Sequence, residues 1–329
     1  MRAGSIKPCS MSLSDKQNAA RKGSSGPKIA LVVDLYDWHA RDLAAAFART
    51  GALAVPVRLS QCGFDTRRPS GLAIPGFGAD LPDAVFVRAI GSGTFESVTL
   101  RLDVLHSLGA IGVPVFNSAR TVEICVDKAA TSFMLARHAI PTPPTWTAQS
   151  EQAARQIVRR EAGRGPLVLK PLFGAQGYGL KLIRRESDLP TFEAVEGVYY
   201  LQRYIAAERN GFHDIRVLVS QGRVVAAMTR HADHWITNVK LGGRPELCVP
   251  DAVMTDLSLR AAAATGADFA GVDMIRDAAD TLQVLEVNSM PGWRGLQKVA
   301  PFSIADRLAA DVLSRLGWPA EWPSAKAAL

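Results

Sequence analysis

Three stretches of the chain carry side chains whose types and spacing could do chemistry. Gly271-Val-Asp-Met-Ile275 and Leu282-Gln-Val-Leu-Glu-Val-Asn288 read as two strands joined by the hairpin loop Asp277-Ala-Ala-Asp280. Side chains alternate along a strand, so Glu286 and Asn288 share one face, and Leu285 and Val287 take the other. Asp273 likewise faces away from Val272 and Met274. Three oxygen donors then converge, a set that suits Mg²⁺, although a solvated polar sheet face has the same pattern. The second stretch is Lys170-Pro-Leu-Phe-Gly-Ala-Gln-Gly-Tyr-Gly179, where a lysine ends a strand and three glycines follow within six residues. Glycine lets backbone N–H groups cradle phosphate oxygens, and the lysine adds a point charge. The spacing is not that of a Walker A loop, and a plain turn fits equally well. The third is Asp127-Lys128, inside an apolar-periodic segment where a lysine is ordinarily a solvated helix residue.

The elements that must position these residues alternate. Ile29–Val33 reads as a strand, Ala40–Thr50 as a helix, and Ala52–Leu59 and Ala84–Val87 as strands. Leu100–Leu108 reads as a helix and Val113–Phe116 as a strand, which implies an open parallel α/β layer. The first strand runs into Asp34-Leu-Tyr-Asp-Trp38 without G-x-G-x-x-G, which disfavours a nicotinamide site. A second unit opens near Ser118 with a helix over Thr121–His138, stopped by Ile140-Pro-Thr-Pro-Pro144. A helix over Glu151–Ala162 follows, then strands at Leu167–Lys170, Leu180–Ile183 and Val198–Leu201. The last third has strands near Ile215–Ser220 and Val224–Thr229, a helix over Met254–Thr265 and a closing helix over Ile304–Leu316.

Bulk properties narrow the class. The 329 residues, 48% hydrophobic and 21% charged, suit a globular protein of two or three domains. No apolar run is long enough for a membrane span, and the first 28 residues lack the apolar core of a secretory signal. Of the formal charge of +7, the first 28 residues carry six basic side chains and one acid, so the remainder is nearly neutral and a nucleic-acid partner is not expected. Residues 1–27 read as a disordered basic tail. Cys9, Cys62, Cys125 and Cys248 form no C-x-x-C pair, which fits a reduced cytoplasm and argues against a zinc or redox motif.

Order and separation lift the three stretches above their separate ambiguity. Val126-Asp-Lys128, Leu135-Ala-Arg-His-Ala-Ile-Pro-Thr-Pro143, Leu169-Lys-Pro-Leu-Phe-Gly-Ala-Gln-Gly177 and Leu201-Gln-Arg-Tyr-Ile205 come in turn. His213-Asp-Ile-Arg216, Asn238 with Gly242-Gly243, Gly271-Val-Asp273 and Glu286-Val-Asn-Ser-Met-Pro-Gly292 complete the series. Together they resemble the ATP-grasp superfamily and, within it, the RimK-type glutamate ligases, over roughly residues 84–316. The resemblance implies an α/β chain: an ATP-grasp fold with an α+β lid, preceded by an open parallel α/β domain. Its divisions would be 28–117 for that first domain, 118–205 for the central subdomain with the glycine loop, and 206–329 for the C-terminal subdomain with the metal site.

The same resemblance implies roles. ATP would be held by Lys128, Lys170, Gly174, Gln176 and Gly177, by the hinge residues Gln202, Arg203, Tyr204 and Ile205, and by Asp214 near the ribose. Asp273, Glu286 and Asn288 would hold Mg²⁺, two ions being expected and Mn²⁺ an acceptable substitute. Arg216, Asn238 and Arg230 are the catalytic candidates, and Arg88, Lys240 and Arg294 the candidates for the acceptor. The implied reaction is ADP-forming: a carboxylate is activated as an acyl phosphate and coupled to an amine, L-glutamate being the expected amino acid. Two departures bear on the substrate. Arg203 stands where the family often has glutamate, so adenine would be read by backbone groups or Gln202. Ile236 and Leu241 replace two arginines of the ribosomal-protein-modifying members, whereas Met290-Pro-Gly-Trp-Arg-Gly-Leu-Gln297 looks like relatives that glutamylate coenzymes such as tetrahydromethanopterin or methanofuran. A peptide- or protein-tail glutamate ligase and a non-catalytic ATP-binding module are the alternatives, and a homo-oligomer stays open.

Overall fold

The computed structural model describes residues 26–174, 177–206 and 211–319. Most of the expected tail over 1–27 lies outside that range, and so does Gln176. β1 (Lys28–Val32) leads into α1 (Trp38–Arg49), which begins two residues before its apolar run because Asp37 caps it, accepting from Ala40 N at 3.0 Å. β2 (Leu53–Val57), the short antiparallel pair β3 (Gly63–Phe64) and β4 (Leu72–Ala73), β5 (Ala84–Val87), α2 (Phe95–Ala110) and β6 (Val115–Phe116) follow. The strand order β2-β1-β5-β6 is parallel throughout, and β5 is buried along its whole length, as a sheet covered on both faces requires.

The helix expected over Thr121–His138 is two helices, α3 (Ala119–Val126) and α4 (Lys128–Arg137). Asp127 ends the first and caps the second, accepting from Ala129 N and Ala130 N at 2.8 and 3.0 Å. Apolar spacing continues across the break, so periodicity could not reveal it. Lys128 becomes the first residue of a new helix.

β7 (Thr145–Ala148), which sequence pattern did not suggest, α5 (Glu151–Glu161), β8 (Leu167–Lys170), β9 (Lys181–Ile183) and β10 (Tyr199–Arg203) build an antiparallel sheet of order β7-β10-β8-β9. β11 (Phe212–Ser220), β12 (Arg223–Ala232), β13 (Arg244–Cys248), β14 (Phe269–Arg276) and β15 (Leu282–Asn288) make the third sheet, of order β13-β12-β11-β14-β15. Between β13 and β14 lies α6 (Ala252–Thr265), and α7 (Arg294–Gln297) and α8 (Ile304–Arg315) close the described chain. One face of this sheet is apolar: Val217, Val272, Met274 and Val287 join Leu135 of α4 and Leu257 and Ala261 of α6 in one buried cluster. The opposite face is divided. Leu218, Met228 and Phe269 pack with α1, α8 and the first sheet, and beyond them Asp214, Arg216, Arg230 and Asp273 carry charge.

Simple alternation fails at one point in this sheet. Asp273 pairs with Glu286, but its neighbour Met274 pairs with Val284, so Leu285 is the extra residue of a β-bulge. Leu285 therefore lines the same cleft as Glu286, and Val284 joins Val287 in the core. Asn117 ties the first sheet to this region. Its buried amide donates to the carbonyls of Phe269 and Ser289, both at 2.7 Å, and accepts from the N–H groups of Asp268 and Phe269.

Candidate active site

A cleft of about 990 Å³, open to solvent, lies between the central sheet and the charged half of the third sheet. Lys128, Lys170, Gly174, Gly177, Gln202, Arg203, Tyr204, Ile205, Asp214, Arg230, Asn238, Asp273 and Glu286 all line it. Arg216 and Asn288 stand directly behind the lining through their contacts with Asp273 and Glu286.

The floor is a row of charged side chains set by strand register. Arg216, Asp273 and Glu286 lie opposite one another on β11, β14 and β15, and Asp214 opposes Arg230 on β11 and β12. Arg216 grips Asp273 with two hydrogen bonds, Nε to Oδ1 and Nη2 to Oδ2, both 2.6 Å. Arg230 is buried between two carboxylates, with Nε 2.7 Å from Asp214 Oδ1 and Nη2 3.0 Å from Asp273 Oδ2. Burial alone would raise the Asp273 carboxyl, but the charges of Arg216 and Arg230 outweigh it and hold it well below the usual carboxylate range. Burial would likewise weaken the Arg230 guanidinium, yet Asp273 and Asp214 raise its affinity for the proton. Asn288 donates from Nδ2 to Glu286 Oε1 at 3.0 Å, which leaves its carbonyl oxygen available. The Asp273 carboxylate, the Glu286 side chain and the Asn288 amide are hard oxygen donors beside one another, the chemistry a Mg²⁺ ion requires.

The roof is cationic. Lys128 Nζ donates to the carbonyls of Gly174 at 2.7 Å and Leu172 at 3.4 Å, and Lys170 Nζ donates to Gln202 Oε1 at 2.7 Å. Burial lowers the proton affinity of both lysines, against the attraction of Glu286, and Lys128 lowers that of Lys170 further. Gly177 adopts φ +78°, and a Cβ there would lie 2.6 Å from Asn238 Oδ1 and 2.8 Å from Ile236 Cγ2. Only glycine lets the loop approach that closely.

The side chains of the two hinge residues Arg203 and Gln202 are both engaged within the central subdomain. The Arg203 side chain points away from the cleft: Nη2 binds Glu161 Oε2 at 2.9 Å, and Nη1 donates to the carbonyls of Glu161 and Gly165. Its part in the cleft is left to its backbone. Gln202 is buried with both Nε2 protons given to Thr145 and Tyr200 and with Oε1 accepting from Lys170, so it has no donor left for an adenine ring. Sequence reasoning also missed the apolar end of the cleft, where Val168, Phe212, Trp235, Ile275 and the bulged Leu285 assemble. The stretch containing Trp235 was visible for its Asn238, but nothing in it announced that Trp235 would meet Tyr204 edge-on at 6.0 Å.

Arg88, Lys240 and Arg294 do not line this cleft. Arg88 and Arg294 meet around the loop after β15: Arg88 Nη1 donates to the Pro291 carbonyl at 2.6 Å and its guanidinium stacks 4.6 Å from the Trp293 ring. Burial lowers its pKa to about 10 against the pull of Asp37, and its Nε lacks a hydrogen-bond partner. Arg294 stands over Trp38 at 6.0 Å. His39 clamps the loop, with Nε2 accepting from Trp293 N and Arg294 N at 3.2 and 3.3 Å, and Nδ1 binding Asp37 at 2.9 Å. Backbone N–H groups can only donate, so this arrangement needs neutral His39, and burial lowers its proton affinity accordingly. Lys240 sits on the turn Val239–Leu241, whose Val239 packs against Gly295 of α7.

The family model for the RimK-like ATP-grasp domain matches residues 125–312, which hold the cleft floor, the glycine loop and both lysines. The chain belongs to the RimK-like ATP-grasp family. Its relatives include the tetrahydromethanopterin:alpha-L-glutamate ligase of Methanococcus maripaludis, 36% identical over 235 residues that cover 70% of this chain and 78% of that protein. The ligase of the same name from Methanosarcina acetivorans is 31% identical over 304 residues, 80% of this chain and 92% of the relative. Among solved structures, the ATP-grasp ligase PsnB complexed with a phosphomimetic variant of its minimal precursor, Mg and ADP aligns with TM-score 0.70 at 19% identity, over 88% of this chain and 98% of that one. A RimK domain ATP-grasp protein from Sphaerobacter thermophilus aligns with TM-score 0.63 at 23% identity, over 86% and 98%. This RimK-like protein is thus a carboxylate–amine ligase with an ATP-grasp fold.

Proposed function

We propose that the protein joins L-glutamate through its amino group to a carboxylate on a small coenzyme precursor of the tetrahydromethanopterin or methanofuran type, with ATP converted to ADP and phosphate. The observation that carries the reading is the cleft itself, in which Lys128 and Lys170 face an oxygen-donor set of Asp273, Glu286 and Asn288. The names of the relatives support glutamate as the amino acid.

On this reading Lys128 and Lys170 neutralise the phosphate chain, and the loop containing Gly174 and Gly177 covers it. Asp273, Glu286 and Asn288 hold Mg²⁺, which when bound supplies charge neutralisation at the phosphates. Adenine occupies the apolar end formed by Val168, Phe212, Trp235 and Leu285, against the backbone of Arg203 to Ile205. The acceptor carboxylate oxygen bonds to the γ-phosphorus as the bond to ADP breaks, and positioning rather than covalent chemistry is the protein's contribution. The amine then attacks the acyl carbon, phosphate leaves, and the amine's proton departs to solvent or phosphate. Arg216, Arg230 and Asn238 stabilise the charge that develops on the reacting oxygens.

The acceptor approaches by the loop after β15. Pro291 rests on Gly271, where a Cβ would lie 2.9 Å from Pro291 Cβ and 3.7 Å from Arg216 Nε, so Pro291 and Gly271 alone separate Arg88 from Arg216 along this path. Arg88 and Arg294 hold the acceptor's or glutamate's further carboxylates, with Lys240 beside them. Domain limits at 28–117, 118–205 and 206–329 belong to the same reading. So does a cytoplasmic location, in keeping with free Cys62, Cys125 and Cys248 and with no described helix long and apolar enough to cross a membrane.

The test is ADP release in the presence of L-glutamate and a panel of carboxylate acceptors, with the amide product identified by mass. Acceptor-dependent ADP is expected, and Glu286→Ala should abolish it. Nucleotide binding with no acceptor-dependent ADP would favour a regulatory module, and turnover only with peptide C-termini would move the acceptor class.

A further inference from the structure

The side-chain amide of Gln202 is buried, and its neighbours dictate which way round it sits. Thr145 Oγ1 lies 2.9 Å from the Pro143 carbonyl, and because a carbonyl only accepts, the hydroxyl proton goes there. The remaining lone pairs of Thr145 therefore face Gln202, and the atom 3.2 Å away has to be the donor Nε2. Nε2 also donates to Tyr200 OH at 3.2 Å, and that hydroxyl shares a 2.8 Å hydrogen bond with Ser132 Oγ of α4. Both Nε2 protons are used, which turns Oε1 toward Lys170 Nζ at 2.7 Å. Four elements, α4, β7, β8 and β10, meet in this one network.

We infer that Gln202 is the positioning residue of the phosphate-binding Lys170, and that its side chain takes no part in reading the base. A lysine ammonium is a point charge on a flexible four-carbon stem with three donors. One donor spent on an oriented, neutral acceptor fixes the head group and leaves two to face the cleft. A neutral acceptor suits the task, because a carboxylate in the same place would compete with phosphate for the ammonium. The charged groups that act on Lys170 from the surrounding elements are Glu286 on β15, Lys128 on α4, Asp273 on β14 and Asp214 on β11. None of them is within ion-pair distance of Lys170, so Gln202 is its direct side-chain partner. The inference rests on the nucleotide reading of the cleft and adds a division of labour to it: the hinge holds the phosphate lysine through a side chain and the base through its backbone.

Dissociation constants for ADP and for adenosine, measured by calorimetry with Mg²⁺ on the full chain and on Gln202→Met, Thr145→Val and Thr145→Ser, test it. For Gln202→Met, ADP affinity should fall about tenfold while adenosine affinity stays unchanged. Thr145→Val touches neither Lys170 nor the base. It removes the acceptor that orients Nε2, so it should show the same selective loss, about threefold, and Thr145→Ser should restore ADP binding. Misfolding alters the amount of competent protein without changing the ratio of the two constants. Equal losses for ADP and adenosine, or no loss in either Gln202→Met or Thr145→Val, would overturn the inference and leave the nucleotide reading standing. A wild-type chain that binds no ADP would overturn both.

Discussion

The floor and the roof of the cleft manage charge in opposite ways. On the floor, four of the ions are paired with one another: Arg216 grips Asp273, and Arg230 lies between Asp214 and Asp273, while Glu286 accepts from the Asn288 amide. On the roof, the hydrogen-bond partners of Lys128 and Lys170 are neutral oxygens of Leu172, Gly174 and Gln202. The floor is therefore compensated and held by cross-strand geometry before any ligand arrives. The roof carries positive charge in a partly desolvated place and satisfies hydrogen bonds without neutralising it. Such an arrangement costs stability and favours an anion, as expected of a surface that binds phosphate.

This contrast predicts different consequences for removing charge on the two sides. Asp273→Ala should have the largest effect. It should lose turnover by about 10³-fold, and leaving Arg216 without its carboxylate and Arg230 with Asp214 alone should cost about 3–5 kcal/mol of stability in urea unfolding. A stability loss near zero would mean the row is not pre-paired in solution. Lys170→Met should also lose turnover, by roughly 10²-fold, yet keep its stability within about 1 kcal/mol of wild type or gain some, because a buried, uncompensated charge has been replaced by an apolar side chain. If it unfolds as readily as Asp273→Ala, the distinction between floor and roof disappears.

The pH response should separate the sides next. The Asp273 carboxyl is held below its ordinary value of 3.8, so its contribution to stability is complete above that pH and is lost as acid carries the solution down toward the folded value. Lys170 is held below 10.5, so the folded protein gains stability as pH rises through the window between its lowered value and 10.5. ADP affinity should fall across the same alkaline window as the ammonium is lost. Opposed trends in urea midpoint and ADP affinity are the expected result, and parallel trends would sink the assignment of Lys170 to phosphate. The smallest effect should come from Gly177→Ala, which meets Asn238 and a positive φ. A penalty of about 1–2 kcal/mol on the closed loop should appear as a raised KM for ATP with the urea midpoint unchanged.

Much of this site was legible beforehand because it lies along strands. Alternation put Asp273, Glu286 and Asn288 on one side of two neighbouring strands, and the hairpin at Asp277–Asp280 is where turn residues suggested. Asp127-Lys128 was visible as a pair, but its role as a helix junction was not, since apolar spacing passes through it unbroken. The bulge at Leu285 was hidden for a related reason: one extra residue changes which side chains share a face, and only the partner strand shows that the register has slipped. Arg203 and Gln202 were recognised as hinge residues, but where their side chains point was not legible. Their partners, Glu161 for one and Thr145 with Lys170 for the other, come from separate elements.

The amino-acid sequence by itself determined the family, the order of the phosphate and metal elements, and the outward aim of the charged strand residues, because each depends on local spacing. The tertiary structure alone decided which charges neutralise one another and which stay uncompensated. Arg216 and Asp273 are 57 positions apart and become neighbours through strand register, whereas Lys170 finds a neutral amide 32 positions away. Ion pairing depends on distances of a few ångströms between residues remote in the chain, and those distances are set only when the strands of each sheet pair in register.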